Sequence, residues 1–200
     1  MVARKFNVIQ LNTGFETAHR NMHYDEELLN QLQPEERIER FYIWQQPGIT
    51  YSYKQTCPEN MQHFDHSSRL TGGGIVFHSP GDIVFSVAEW RHDPDFTGGL
   101  KQRLAVISDH IKQALTKQNI QLDAIQATSE INHRYCHQYP TPFEITVNDQ
   151  KIVGLTIRQF KTKRLIQGII HTKPAASCFH PFFNLSIQID HEQLLSHLLN

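Results

Sequence analysis

An α+β fold, with antiparallel strands and helices set between them, is what this sequence predicts, and three observations carry the prediction. Two pairs of apolar or alternating runs flank short turn sequences, the pattern of β-hairpins. Amphipathic stretches at helical spacing separate those pairs and close the chain. Strands do not alternate one for one with helices, as a doubly wound parallel sheet would require. The 200 residues, 39% hydrophobic and 20% charged, suffice for one packed domain, read as residues 1–200 with no internal repeat and no linker.

The elements follow in order. Phe6 to Leu11 is a short apolar run that reads as a strand. Ala18, Met22, Leu28, Leu29 and Leu32 cluster at helical spacing between Ala18 and Gln33, and Pro34 stops that helix. Arg40 to Trp44 is aromatic and β-branched, hence a strand; Gln46-Pro47-Gly48 turns it, and Ile49 to Tyr53 is extended again. Gly74–His78 and Ile83–Val87 flank Ser79-Pro80-Gly81-Asp82, which predicts a hairpin because Pro sets one dihedral and Gly permits positive φ. Leu100, Leu104, Ile107, Ile111 and Leu115 mark the clearest amphipathic helix. Phe143–Val147 alternates at period two, Asn148-Asp149 turns, and Lys151 to Arg158 returns as a second hairpin. Leu165 to His171 is its next neighbour, and His191 to Leu199 is a closing helix with Leu194, Leu195, Leu198 and Leu199 apolar.

Composition removes several classes. Lys+Arg 19 against Asp+Glu 20 leaves a net charge of -1 and no electrostatic footprint for nucleic acid. No run approaches the ~20 apolar residues of a membrane span. The basic start, Met1 to Phe6, leads into no apolar signal core, so a soluble, cytoplasmic protein is expected. Three cysteines, Cys57, Cys136 and Cys178, make a poor disulfide framework and leave room for a working thiol. The 13 histidines are unusual. His63 and His66 with Cys57, or His133 with Cys136 and His137, offer ligand types but no four-ligand spacing, so no metal is expected.

Arg69-Leu70-Thr71-Gly72-Gly73-Gly74 leads into a strand. Each glycine costs roughly 1 kcal/mol against alanine in an ordered element, so three together need a reason. One is a bulge or loop. The other is a bare backbone floor for a ligand, with Arg69 able to neutralise an anion and His78 one strand-length away on the same pocket. No Gly-Lys-Ser/Thr follows and the triplet opens a strand, which excludes a P-loop and a dinucleotide fingerprint. Lys151, where the second hairpin restarts, reads either as a solvated turn lysine or as a fixed cation for charge developing at an acyl carbonyl or phosphate. Cys136 is either an inert packed thiol or a nucleophile. A thiol of ordinary pKa near ~8.5 needs help, which His133, His137 or Lys151 would supply as a positive charge or a base.

Four stretches together resemble the lipoate–protein ligase and octanoyltransferase family, related in fold to biotin protein ligases. Ala18 to Glu26 is similar to its first helix, with Asn21-Met22 and Asp25-Glu26 pairs. Arg69 to His78 resembles its Arg-x-Ser/Thr-Gly-Gly-Gly loop with a later histidine, Lys151-Ile152-Val153-Gly154 the segment holding its catalytic lysine, and Ile187 to Leu199 its helical end. The resemblance implies a mixed, mainly antiparallel sheet flanked by helices, without the C-terminal accessory domain many ligases carry. It implies a chemistry in which lipoate or octanoate is joined to a lysine of a lipoyl domain, in 2-oxoacid dehydrogenases or the glycine cleavage system. On that analogy Arg69, Thr71, Gly72, Gly73, Gly74, His78 and Gly154 bind the acyl substrate and Lys151 holds its carbonyl.

Cys136-x-x-x-Pro140-Thr141-x-Phe143-Glu144-Ile145 resembles the cysteine segment of one octanoyltransferase branch, whose members take the acyl group from acyl carrier protein through a thioester and need no cofactor. The Arg-Asn-Asp of ligases, which activate lipoate with ATP and Mg, is not present. His78 to Asp82 is similar to a second transferase branch whose cysteine lies nearer the C-terminus, which keeps Cys178 in reserve. The chain departs from the family at Ser68, Ser52 to Gln55, Leu155 to Ile157 and Gln167. The expectation is an octanoyl or lipoyl acyltransferase acting through Cys136. The alternatives are an ATP-dependent ligase and a non-catalytic module that binds acyl or lipoyl carriers through the basic stretch Arg158, Lys161, Lys163 and Arg164.

Overall fold

The computed structural model describes residues 7–13, 16–91, 99–124, 135–138 and 141–199. Its spine is a six-stranded sheet with β1 (Asn7–Asn12), β2 (Glu36–Ile43), β6 (Ile83–Trp90), β9 (Lys163–Ile170), β8 (Gln150–Gln159) and β7 (Ile145–Val147) in that spatial order. A smaller sheet holds β4 (Asp65–Arg69), β3 (Gly48–Ser52) and β5 (Val76–His78). The helices are α1 (Ala18–Gln31), α2 (Leu100–Thr116) and α3 (His191–Leu199). The α+β expectation holds: five strand pairings are antiparallel, and only β1 with β2 and β3 with β4 run parallel among the described residues.

Period-two alternation sorts the large sheet into two faces. Ile38 and Tyr42 of β2 and Val84 and Ala88 of β6 pack toward α1, with Leu28 and Leu29 or with Ala18 and Trp44. Phe41, Phe85 and Val87 point the other way and join Ile111 and Leu115 of α2 and Leu194, Leu195 and Leu198 of α3. The Thr17 hydroxyl accepts from Arg20 N (3.2 Å) and the Asp65 carboxylate accepts from Ala18 N (2.7 Å), so α1 starts against an anion from the small sheet. At its other end Lys163 Nζ donates to the carbonyls of Leu29 (2.9 Å) and Asn30 (3.1 Å).

The apolar face of α1 also buries Asn21 and Asp25. Their partner is Arg40, fully buried on β2. Arg40 donates to Asp25 Oδ1 (2.8 Å), to Asn21 O (3.1 Å) and Oδ1 (2.6 Å), and to Thr13 Oγ1 (2.8 Å). A buried guanidinium is tolerable only when its donors are matched in this way.

One expectation changes. Gly74–His78 and Ile83–Val87 do not form a hairpin, because β5 pairs with β3 in the small sheet while β6 pairs with β2 and β9 in the large one. The turn between them is real, with Asp82 N donating to Ser79 O (3.1 Å) and Gly81 at φ +97°. Its outer edge bonds instead to Trp44, through Gly81 N to Trp44 O (2.7 Å) and Trp44 N to Asp82 O (2.8 Å), and so carries the chain from one sheet to the other. β1 lies parallel to β2, because the 14-residue α1 between them is long enough to return the chain to the same end of the sheet.

The β7–β8 hairpin forms where expected, with Asn148 and Asp149 both at positive φ (51° and 59°), a type I′ pair. The register slips between Ile145 and Thr146, so β8 carries one extra residue. That bulge breaks the alternation and sets Lys151 on the same side as Gly154.

Where β9 crosses β6, Gly168 leaves room for the Phe85 ring. A Cβ there would penetrate the ring edge and stand 2.9 Å from Leu155 Cδ2. Gly168→Ala is expected to cost about 2–3 kcal/mol by overpacking, a fall in Tm of roughly 5 °C or more in a thermal melt.

Candidate active site

The glycine loop is held from behind by Arg69, which is 4% exposed. Its Nη2 donates to the carbonyls of Gly72 (2.8 Å) and Gly74 (2.6 Å), and Nη1 to Thr50 Oγ1 (3.3 Å). The guanidinium is therefore committed to shaping the loop, and burial pushes its pKa down to about 10. Gly73 sits at φ +94°, a conformation that suits glycine, and a Cβ on it would press to 3.1 Å from Arg69 Nη2. A Cβ on Gly72 would meet only open space. Thr71 does not face the cleft; its hydroxyl donates to Gln167 Oε1 (2.7 Å), and Gln167 Nε2 donates to Asp25 Oδ2 (2.7 Å), tying the loop to α1.

Leaving the triplet, Ile75 forms a parallel bridge with Tyr135, and Cys136 N donates to Ile75 O (3.0 Å). The backbone of the glycine strand thus fixes the thiol. Lys151, brought round by the β8 bulge, reaches it from the other side: Nζ lies 2.6 Å from Cys136 O, 3.6 Å from Cys136 Sγ and 2.7 Å from Glu144 Oε1. Glu144 is 3% exposed and also accepts from Thr141 N (2.7 Å) and Leu155 N (3.4 Å). The bare ledge under the sulfur is Gly154, where a Cβ would lie 3.9 Å from Sγ and 3.7 Å from Lys151 Cε. The triplet forms the neighbouring rim, joined to β8 by Thr156 Oγ1 donating to Gly72 O (3.4 Å).

Beside this ledge opens a narrow, mainly apolar cleft with Met22, Val76, Val84, Leu155 and Ile169 among its walls and Arg69, His78, Gln167 and Cys136 among its polar members. A second, smaller hollow, lined by His137, His171, Phe183 and Lys151, shares Cys136 and Gly154 with it. The sulfur stands at their junction.

His78 is buried, stacks on Trp44 (centroids 4.0 Å apart) and shares a hydrogen bond with Thr50 Oγ1 (2.9 Å). Burial, reinforced by His171 and Arg69, holds its pKa well below 6.5. His137 is pushed down to about 4 by burial and then by its neighbours His171 and Lys151. Both rings are therefore neutral at pH 7, and His137 is not the cation beside the thiol. His133, like Pro140, lies outside the described residues. Cys178 is exposed on the turn Ser177–Phe179 and lines neither hollow, and Cys57 packs at the core edge with its pKa raised by burial. Among the described residues no three His, Cys, Asp or Glu side chains gather as a metal site.

Both depressed histidines mean that the unfolded chain binds more protons between about pH 4 and 6.5, so stability rises with pH across that window and is lost as pH falls through it. Each group contributes a slope of at most about 1.4 kcal/mol per pH unit, less for the partly exposed His137. Urea titrations at pH 7, 6 and 5 should show that decline, with a shallower slope in His137→Gln.

Glu144 and Gln167, which the sequence offers only as part of a family motif and as a departure from the family, gain defined partners in the site. The alternation of Phe143–Val147 places Glu144 on the solvent side, and only the turn that bonds Glu144 N to Thr141 O (3.0 Å) carries it inward.

The mixed sheet thus brings the glycine loop and the lysine hairpin to one cleft. The model of the lipoyl protein ligase A/B catalytic domain matches residues 17–193, and the chain belongs to that family. Among solved structures, lipoate-protein ligase A bound with ATP superposes with a TM-score of 0.72 at 16% identity, over 98% of this chain and 83% of that one. A putative lipoate protein ligase from T. acidophilum with bound lipoic acid gives 0.69 at 17% identity, over 98% and 83%. LipL1 of P. falciparum in complex with lipoate gives 0.67 at 18% identity, over 96% and 60%. No curated protein matches the chain in sequence. Among the described residues no helix is long and apolar enough to cross a membrane.

Proposed function

We propose that this protein is the transferase of protein lipoylation, moving an octanoyl or lipoyl group from acyl carrier protein to a lysine of a lipoyl domain through a thioester on Cys136. The observation that carries this reading is the convergence of Lys151 Nζ and Cys136 Sγ, 3.6 Å apart, on a side-chain-free ledge beside an apolar cleft. The Cys136 sulfur, as thiolate, attacks the donor thioester carbonyl and expels the donor thiolate. The lysine amine of the acceptor then attacks the Cys136 thioester, an amide forms, and the amine proton returns the sulfur to a thiol. Lys151, fixed by Glu144, supplies positive charge where the carbonyl oxygen becomes negative. The cleft around Met22, Val84 and Ile169 receives the acyl tail, with Arg69 on its wall and the glycine loop held behind that side chain. Because Arg69 is committed to the Gly72 and Gly74 carbonyls, it supports a loop that shapes a hydrocarbon site more than one that grips an anion.

The ATP-bound ligase among the structural relatives keeps a second reading, activation of free lipoate with ATP and Mg. Transfer from octanoyl-acyl carrier protein to a lipoyl domain without nucleotide separates the two. The transferase reading predicts product without ATP; product only with ATP and lipoate, accompanied by AMP and surviving Cys136→Ser, would establish the ligase. Carrier binding with no transfer under either regime would reduce the protein to a binding module.

A further inference from the structure

We infer that an acidic acyl carrier protein docks on the rim formed by Tyr53, Lys54, Arg158, Phe160 and Lys161; this rests on the transfer reading and adds the surface through which the donor reaches Cys136. β8 lays out the path: Gly154 lies under the sulfur, Thr156 on the cleft wall and Arg158 two residues further along, alternate residues on one side of the strand. Four residues of strand set Arg158 about 13 Å from Gly154, within reach of a flexible thioester-bearing arm.

The rim is preordered. Arg158 lies 3.7 Å from the centroid of the Tyr53 ring and 4.8 Å from that of Phe160, and its Nη1 donates to Leu70 O (2.7 Å) beside the glycine loop. Lys54 Nζ lies 5.5 Å from the same Tyr53 ring, and Lys161 stands exposed after Phe160. Among the described residues none of these three cations has a carboxylate partner. Tyr53, 42% exposed, is one of two large hydrophobic side chains left on the described surface. An exposed tyrosine stacked by a fixed arginine, flanked by unpaired lysines, is the composition of an interface anchor for an acidic partner.

The rest of the basic stretch does other work. Arg164 is buried against Glu89 (2.5 Å), and Lys163 holds the end of α1. The expected run of four cations therefore shrinks to Arg158 and Lys161, and Lys54 joins them from the turn after β3.

The test compares the protein with its Lys54→Glu/Lys161→Glu form, neither residue being part of the acyl site. Anisotropy of labelled holo-acyl carrier protein at low salt should show binding weakened about tenfold or more, with most of the salt dependence gone. Acylation by the octanoyl thioester of a small thiol should proceed equally in both. Carrier binding that is unchanged by the charge reversal, or independent of salt, overturns the docking surface. So does a loss confined to the lipoyl domain. A protein that binds the carrier through this rim yet is acylated by neither donor rejects the transfer reading and leaves the docking surface standing.

Discussion

Cys136→Ser is expected to abolish nucleotide-independent acyl transfer, by at least about 10³-fold, while leaving the fold intact. A hydroxyl at this position is not ionised at neutral pH and is a poor leaving group in the second step, whereas a thiolate serves in both directions. Oxygen is smaller than sulfur, and Cys136 is only half-buried, so Tm should move little. Steady-state transfer and a thermal melt on the same sample separate loss of chemistry from loss of structure. Cys57→Ser and Cys178→Ser should both retain transfer, because neither residue lines the hollows that meet at Cys136.

Lys151→Met carries the second large effect, and it has two parts. Removing the ammonium leaves Glu144 buried with, among the described residues, only the amide donors of Thr141 and Leu155, and an uncompensated buried charge costs about 3–5 kcal/mol. It also removes the positive charge from the carbonyl site, an expected loss of roughly 10²–10³ in rate. The double variant Lys151→Met/Glu144→Gln distinguishes them. Neutralising the orphaned carboxylate should restore most of the lost stability, read by urea denaturation, and none of the activity. Recovery of both would make Lys151 a structural partner of Glu144 and nothing more.

What the sequence made legible was local. The helical spacing of Leu100 to Leu115, the left-handed turn at Asn148-Asp149, and the glycines that need an open side or a positive φ all express physics confined to a few neighbouring residues. Partner choice was not legible. Ser79 to Asp82 has sound turn chemistry, yet nothing in it specifies that Trp44 will bond its edge and send β5 and β6 to different sheets. The ion pair of Arg40 with Asp25 joins residues 15 apart, on a strand and a helix that each read as ordinary amphipathic elements. At the site, Cys136, Lys151 and the glycine loop were recognisable as residue types in order. The bulge that aims Lys151, the Glu144 that fixes it and the role of Gly154 as ledge depend on register, which one strand does not reveal alone.

Intact mass spectrometry of the protein after mixing with octanoyl-acyl carrier protein, without nucleotide or acceptor, bears most directly on the account. A single octanoyl increment should form, map to Cys136, and disappear when lipoyl domain is added as the acyl group passes on. Absence of any adduct, or an adduct that persists in Cys136→Ser, would contradict it.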